Sequence, residues 1–112
     1  MSTLNYEKED ISTKILVDPE DSRAFYQNYD ANKKNNKSSN ILNKYEKTKV
    51  IYERIQLIQR GALPFIKNPD KYEKIYDIVI EELKQKKIPF IIKRRVGNSV
   101  EYWKLEDLII LD

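Results

Sequence analysis

The chain has 112 residues, with 21 Lys and Arg against 18 Asp and Glu, and it contains neither Cys nor His. This length allows one small domain with a tail, because domains usually run to about 100–150 residues. Without Cys and His the sequence offers no thiolate nucleophile, no disulfide and no imidazole base, and it lacks the usual zinc ligands. We therefore expect no catalytic role, no metal and no cofactor. The net charge of +3 is too small to indicate nucleic-acid binding by itself.

Two further patterns bear on the compartment. No charged region followed by an apolar stretch opens the sequence, so nothing in it predicts secretion. The longest uninterrupted apolar run, 88–92, is far shorter than the ~20 residues that a membrane-spanning helix needs. We expect an intracellular protein with no membrane partner.

Residues 1–41 are predicted to form an N-terminal tail and polar linker, largely extended or disordered. The stretch 32–40 has no apolar side chain, so it cannot bury enough surface to offset the entropy of ordering. Upstream, apolar residues are too scattered for a core, although Asp21 and Ser22 could cap a brief helix over 23–29. A peptide that docks on a partner is the alternative for this tail.

A first helix is predicted to begin after Asn43. Asn43 and Glu46 have the spacing of a capping box, in which each side chain accepts a hydrogen bond from the other residue's backbone amide. Gly61 is predicted to cap the C-terminus in a left-handed conformation, and Pro64 prevents continuation. The predicted buried face repeats at three- and four-residue intervals and consists of Thr48, Ile51, Tyr52, Ile55, Ile58 and Ala62.

A second amphipathic helix is predicted to begin at Asn68 and Pro69, with Asn as the cap and Pro at the first helical position. Pro89 is predicted to close this helical run. Its buried stripe is predicted to consist of Ile75, Ile78, Val79 and Leu83.

The last part of the chain is predicted to be a β-hairpin. Residues 90–95 favour a strand, Gly97 and Asn98 form a turn, and 100–105 return as the second strand. The alternation places Tyr102 and Lys104 on one face, and Glu101 and Trp103 on the other. The predicted fold class is α+β, with two packed amphipathic helices followed by a C-terminal β-hairpin and preceded by the N-terminal tail.

Three groups of charged residues bear on a possible function. The acidic pairs Glu81–Glu82 and Glu106–Asp107 are interpreted as solvated faces rather than as acid–base pairs. Arg54 borders the apolar face of the first helix, where an arginine indicates a carboxylate, carbonyl or protein partner, or else a side chain that reaches out to solvent.

The hairpin is the third group. Lys93, Arg94 and Arg95 lie near Tyr102 and Trp103, and cations beside aromatic rings can hold phosphates and stack on bases. In the alternative interpretation, Trp103 packs against the helices and the cations protect an exposed sheet edge.

Several ordered blocks resemble a known family: LNKYEKTKVIYER at 42–54, GALP at 61–64, EL at 82–83 and KIPFIIKR at 87–94. They resemble the omega-like small subunit of multisubunit DNA-directed RNA polymerases, which includes archaeal subunit K and the eukaryotic sixth common subunit. The resemblance covers residues 42–112, which we interpret as the omega-like domain.

The resemblance implies a non-catalytic subunit that clamps the C-terminal region of the largest polymerase subunit and promotes assembly and stability of the complex. It also implies one copy per polymerase, a place near the stalk subunits, and contact with DNA only indirectly through the complex. The residues that match the family pattern, and that we expect to bind the partner, are Lys44, Tyr45, Glu46, Arg54, Gly61, Pro64, Pro89, Lys93 and Arg94.

This sequence departs from the family pattern at some positions. Asn43 stands where Thr is usual and Ile55 where a small Ala is common, while the long acidic tail of eukaryotic relatives is missing. The missing acidic tail and the abundance of Ile, Asn and Lys suggest a large DNA virus or an AT-rich protist. The expected location is the nucleus, or the cytoplasm and virion if the polymerase is viral. The rival function is a stand-alone nucleic-acid-binding protein that uses the basic hairpin.

Overall fold

The computed structural model describes the backbone of residues 13–17 and 22–111, and the side chains of 13–17 and 28–111. The described part of the chain combines helices with a C-terminal antiparallel sheet, so the predicted α+β class is confirmed. In chain order the elements are β1 (Thr13–Leu16), α1 (Ser22–Lys33), β2 (Ile41–Leu42), α2 (Lys44–Gln59), a short 3₁₀ helix (Pro69–Lys71), α3 (Ile75–Lys84), β3 (Ile91–Val96), β4 (Ser99–Lys104), a second 3₁₀ helix (Leu105–Asp107) and β5 (Ile109–Ile110).

The segment before α2 is more structured than the sequence predicts. β1 pairs antiparallel with β3, and α1 runs through Lys33, beyond the predicted end at Tyr29. The helix at 22–33 is longer than the brief one that the sequence predicts, and the extended residues 13–16 are paired in a sheet instead of lying free. The physical reason is that this segment builds no core of its own: Ile15 and Val17 pack against the core made by the rest of the chain. The predicted domain boundary at residue 42 stays a prediction.

Both predicted caps of α2 are confirmed. The Asn43 side chain accepts a hydrogen bond from the Glu46 amide, and the Glu46 carboxylate accepts one from the Asn43 amide. At the other end, Gly61 has a φ of 109°, and the amides of Gly61 and Ala62 donate to the carbonyls of Ile58 and Leu57. These two hydrogen bonds form a Schellman motif, which needs a residue that tolerates positive φ.

The buried face of α2 differs from the predicted one. Its buried residues are Glu46, Val50 and Arg54, one turn apart, whereas Thr48 and Tyr52 are exposed. Ile51, Ile55 and Ile58 flank this stripe and are half-buried. The predicted face was misplaced because two of the three buried residues, Glu46 and Arg54, are charged. Charged side chains are buried only where partners from other elements pair with them, and the pattern along the helix does not reveal such partners.

The second helix begins later and ends earlier than predicted. Asn68 has a φ of 55° and makes no side-chain cap, because an N-cap requires extended backbone. Only the 3₁₀ helix follows it, and α3 begins at Ile75. α3 ends at Lys84, five residues before Pro89, and Lys86 beyond it has left-handed backbone with a φ of 56°. The predicted stripe is confirmed for Ile78, Val79 and Leu83, which are buried, with Ile75 half-buried.

The predicted hairpin is confirmed, with strands of six residues each. Val96 pairs with Ser99 across Gly97 and Asn98, and Gly97 has the positive φ of 61° that the first central position of such a turn requires. The strand order is β1–β3–β4, so β3 is central. A separate parallel pair, β2 with β5, joins the chain before α2 to its C-terminal end.

The hydrophobic core lies between the two helices and the inner face of the hairpin. Phe90, Ile92 and Trp103 enter it from the sheet side, and Val50 and Val79 enter it from the helices. Leu105 and Leu108 of the C-terminal segment are also buried in it, whereas Ile109 and Leu111 are exposed. This core fixes which charged residues can reach each other from α2, α3 and β3.

Candidate partner-docking surface

The nine residues that match the family pattern fall into two groups. Glu46, Arg54 and Arg94 are buried in internal ion pairs. Of the other six, Lys44, Gly61 and Pro89 are exposed, whereas Tyr45, Pro64 and Lys93 are partly buried. The structure therefore separates residues that can hold the fold from residues that can touch another protein.

Arg54 is 3% exposed, and its partner is Glu82 of α3. Its Nε and Nη2 donate to the two carboxylate oxygens of Glu82 at 2.9 and 2.8 Å, a bidentate arrangement. The expectation that Glu82 forms a solvated face is wrong, because this side chain has no exposed surface. Sequence reasoning missed it, although Glu82 follows Ile78 and Val79 by four and three residues and so lies on the buried stripe.

The same ion pair also holds a segment of the chain, 61–66, which we call the docking loop. Arg54 Nη2 donates to the Leu63 carbonyl at 3.2 Å, and the Phe65 amide donates to Glu82 Oε2 at 2.9 Å. The Arg54 guanidinium lies 5.0 Å from the centre of the Phe65 ring, within the range of a cation–π contact. Both sides of the loop are thus tied to a buried pair.

The docking loop presents apolar surface to solvent. Leu63 is 80% exposed and Phe65 is 53% exposed, while Ile66 is buried. Tyr76, at the start of α3, is also largely exposed. An exposed apolar side chain is unremarkable alone, but two of them on a loop held by a buried ion pair form a preorganised apolar projection.

Arg94 forms the second buried ion pair. Its Nε and Nη2 donate to the two carboxylate oxygens of Glu46, each at 2.8 Å. Its remaining donors bind the carbonyls of Ser39 and Ile41, just before α2. Because β3 alternates, Arg94 points inward while Lys93 and Arg95 point to the opposite face. The three-cation cluster predicted from the sequence is therefore divided between two faces.

Trp103 and Glu101 also point inward, beside Arg94, as the predicted alternation requires. Trp103 Nε1 donates to Ser38 Oγ at 3.1 Å, and that hydroxyl donates to Glu101 Oε1 at 2.6 Å. The Lys37 and Ser38 amides donate to the same carboxylate at 2.7 and 3.0 Å. Trp103 thus packs in the core, which agrees with the structural alternative for the hairpin and removes this ring from any nucleic-acid surface.

This cluster sets the pKa of Glu101. Burial of the carboxyl group acts to raise its pKa, but the Lys37 amide, the Ser38 hydroxyl and amide, and the Arg94 charge outweigh that effect. The pKa of Glu101 therefore lies below its ordinary value of 4.5. The carboxylate is ionised at neutral pH and anchors the residues before β2 to the sheet.

Tyr29 of α1 makes a second anchor. Its ring is buried, its hydroxyl donates to Asp107 Oδ2 at 2.7 Å, and it accepts from the Lys104 amide at 2.9 Å. Burial and the neighbouring Asp107 carboxylate raise the pKa of this phenol. Asp107 also lies 3.5 Å from Lys33, so it is not the purely solvated residue that the sequence predicts.

The described residues hold no cluster of three or more potential metal ligands. In the same part of the chain, no helix is long and apolar enough to cross a membrane. The feature that the described residues present to solvent is an apolar projection on a loop held by a buried ion pair, and such a projection suits recognition of another macromolecule.

Comparison with known proteins agrees with that interpretation. No family model matches the chain. The chain is 31% identical over 77 residues to DNA-directed RNA polymerases II and V subunit 6B of Arabidopsis thaliana, a match that covers 68% of this chain and 53% of that protein. The chain thus spans about half the length of this relative. The similarity supports a place for the chain among the small subunits of RNA polymerases.

Proposed function

We propose that this chain is a non-catalytic small subunit of a DNA-directed RNA polymerase. It clamps the C-terminal region of the largest subunit, one copy per complex, and promotes assembly and stability of the transcribing enzyme. The observation that carries this proposal is the similarity to plant polymerase subunit 6B. The stalk subunits are further neighbours, and DNA is contacted only through the complex. The location follows the polymerase: the nucleus, or the cytoplasm and virion for a viral enzyme.

We infer that the docking loop is the main contact with the largest subunit. Affinity at protein interfaces is concentrated in a few apolar or aromatic anchors that enter pockets of the partner. Leu63 and Phe65 have the exposure that such anchors need, and Arg54 and Glu82 hold the backbone between them. Because the loop is already fixed, binding costs less conformational entropy.

This arrangement changes the role we assign to Arg54. Its charge is satisfied by Glu82, so Arg54 acts as a positioning residue for the loop rather than as a direct contact. Glu46 and Arg94 play the same internal part at the other end of α2. The remaining matched residues, which have surface available for direct contact, are Lys44, Tyr45, Gly61, Pro64, Pro89 and Lys93.

The subunit assignment is tested by recovering the tagged chain from the cells that encode it. Lysates are treated with nuclease, purified at moderate salt and analysed by mass spectrometry. We expect the two largest polymerase subunits at near-equal stoichiometry with the tagged chain. Loss of all partners after nuclease treatment, with nucleic acid bound before it, would instead favour the stand-alone nucleic-acid-binding protein.

The docking loop is tested by Leu63→Ser, with Leu111→Ser as the matched control. Both leucines are exposed, so each change should alter the free energy of unfolding by only about 0.5 kcal/mol or less. We expect Leu63→Ser to reduce recovery of the largest subunit about tenfold, the effect of losing roughly 1.4 kcal/mol at an anchor. Equal recovery with the two variants would exclude the docking loop from the interface.

A further inference from the structure

A groove lies between α1, the turn that follows it and the end of the β3–β4 hairpin. Its volume is about 930 Å³, which is within the range of sites that hold a ligand. Val100 lies on its hairpin side. The described residues that line the groove include none of the nine that match the family pattern and none of the docking loop. Four of the lining residues carry a carboxamide side chain: Asn28, Asn32, Asn35 and Asn36. We call this site the asparagine groove.

Charge does not select the ligand of this groove. Among the described residues that line it, only Lys37 and Glu101 are charged. The Glu101 carboxylate is buried and already accepts hydrogen bonds from the Lys37 amide and from the Ser38 amide and hydroxyl. One exposed lysine is too little to hold a polyanion such as a nucleic acid. The lining therefore favours a neutral ligand that can make hydrogen bonds.

The asparagines have a spacing close to that of a polypeptide backbone. Asn28 and Asn32 are four residues apart on α1, which at 1.5 Å per residue is about 6 Å. Asn35 follows three residues later, in the turn after the helix, and all three side chains are exposed. In an extended peptide, every second residue directs its N–H and C=O groups to the same side, at an interval of about 6.6 Å. Each carboxamide carries both a donor and an acceptor, so each can pair with one such residue.

The hairpin side of the groove contains the outer edge of β4. Asn36 Nδ2 donates to the Tyr102 carbonyl at 2.9 Å, and the Lys104 amide donates to the Tyr29 hydroxyl at 2.9 Å. These bonds show that every second residue of β4 directs its backbone groups away from β3. Val100 is the next residue in this series and is 44% exposed, and its amide and carbonyl have no hydrogen-bond partner in the described part of the chain. An N–H and C=O pair at a sheet edge can accept a residue of a further strand.

We propose that the asparagine groove binds an extended segment of another protein through the backbone of that segment. One residue of the segment pairs with Val100 at the edge of β4. Its two neighbours direct their N–H and C=O groups the opposite way, towards the carboxamides of Asn28, Asn32 and Asn35. The asparagines span about 10 Å, so the groove holds roughly three to four extended residues. Because the backbone is recognised, many side-chain sequences are accepted.

The first test measures fluorescence anisotropy of a labelled peptide of about eight residues, twice what the groove holds, with both ends capped. Threonine alternates with glutamine in this peptide, so it is uncharged and favours an extended conformation. The full chain is titrated at about 0.15 M salt, where distant charges are screened. We expect saturable binding with a dissociation constant below about 1 mM. Absence of binding would overturn the proposal.

A methylated peptide tests whether the backbone is recognised. Methyl groups on the amide nitrogens of alternate residues remove the donors along one edge of the peptide and leave its side chains unchanged. We expect binding about tenfold weaker than that of the unmethylated peptide, because hydrogen bonds to the groove are lost. Equal binding of the two peptides would show that the backbone is not recognised, and would overturn the proposal.

A matched pair of double variants locates the binding. Asn28→Ala with Asn32→Ala removes two carboxamides from the groove, and Gln59→Ala with Gln85→Ala removes two exposed carboxamides elsewhere. Alanine is a better helix former than asparagine, so we expect the first variant to fold. We expect about tenfold weaker binding for the first variant and less than about a twofold change for the second. Equal weakening by both would overturn the proposal.

Charged peptides separate backbone pairing from attraction between charges. Versions with glutamate or lysine in place of glutamine keep the same backbone. We expect both to bind within about threefold of the uncharged peptide at the same salt concentration. Binding of the glutamate version more than about tenfold tighter would show that the chain attracts anions, and would overturn the proposal.

Amide hydrogen exchange measured by NMR tests the contribution of β4. We expect the Val100 amide to exchange about tenfold more slowly when the uncharged peptide is saturating, because its N–H group then donates to the peptide. Unchanged exchange at Val100 would overturn the pairing with β4. The isolated chain is used throughout, so these results do not depend on whether it assembles with a polymerase.

Discussion

Two loops of this protein are each held by a buried ion pair between an arginine and a glutamate. In the docking loop, Arg54 pairs bidentately with Glu82 and binds the Leu63 carbonyl with a remaining donor. In the segment 38–41, which we call the connecting segment, Arg94 of β3 makes the corresponding pair with a helix carboxylate and binds two backbone carbonyls. A guanidinium serves both purposes because it carries five donors in a fixed plane.

The two loops differ in what they do with their side chains. The docking loop turns Leu63 and Phe65 to solvent. The connecting segment turns Ser38 inward, where it bonds Trp103 and Glu101. The same kind of buried ion pair therefore serves two purposes. The first pair holds a loop that presents apolar side chains to solvent, and the second attaches the connecting segment to the core. We expect substitutions at the first pair to affect assembly most, and substitutions at the second to affect stability most.

The largest loss of stability should follow Arg94→Ala. Truncation leaves Glu46 buried without its cation and frees two carbonyls, and breaking a buried pair in this way costs about 3–5 kcal/mol. Urea unfolding followed by circular dichroism measures the change. The control is Arg95→Ala, one residue along the same strand with an exposed side chain, for which we expect about 0.5 kcal/mol or less.

Should Arg94→Ala fail to fold, Arg94→Lys gives the graded case. Lysine keeps the charge but lacks the planar fork, so it cannot make both bonds to Glu46 and reach the connecting segment. We expect its free energy of unfolding to fall between those of the wild type and the alanine variant. Similar stability of Arg94→Ala and Arg95→Ala would show that the buried pair contributes little.

The first pair can be replaced without being broken. Arg54→Met combined with Glu82→Leu exchanges two buried charges for apolar side chains, a change that is often neutral or stabilising by about 1–4 kcal/mol. The docking loop nevertheless loses the hydrogen bonds that the Leu63 carbonyl and the Phe65 amide make with this pair. We therefore expect weaker recovery of the largest polymerase subunit, although the stability of the protein is not reduced. Unfolding and copurification are measured on the same preparation. Full recovery would show that the docking loop needs no anchoring.

The sequence predicts well those features that depend on neighbours along the chain. The capping box of Asn43 and Glu46, the cap at Gly61 and the turn at Gly97 each involve residues a few positions apart, and all three are confirmed. Local backbone chemistry decides such features, so a single sequence suffices to recognise them.

The sequence does not identify partners that lie far apart along the chain: for Arg54 it predicts a carboxylate or carbonyl partner, which is confirmed, but it does not single out Glu82. Glu46 and Arg54 occupy the centre of the buried face of α2, but their partners Arg94 and Glu82 lie 48 and 28 residues away. A charged residue on a helix indicates a solvated face until its partner is known. The order of α1 and β1 was missed for a similar reason, since both depend on surface that other elements supply.

The smallest effect that distinguishes the two loops is a dependence on pH. The connecting segment is attached to Glu101, whose pKa is lower in the folded protein than its ordinary value of 4.5. A depressed carboxyl pKa contributes stability above the unfolded-state pKa, and that contribution is lost as the pH falls through the lower folded-state value. The unfolding free energy of the wild type should therefore exceed that of Glu101→Gln at neutral pH, and the difference should shrink below about pH 4.5. Chemical unfolding of both proteins across this range measures it, and a difference that stayed constant with pH would show that the carboxylate charge does not hold the connecting segment.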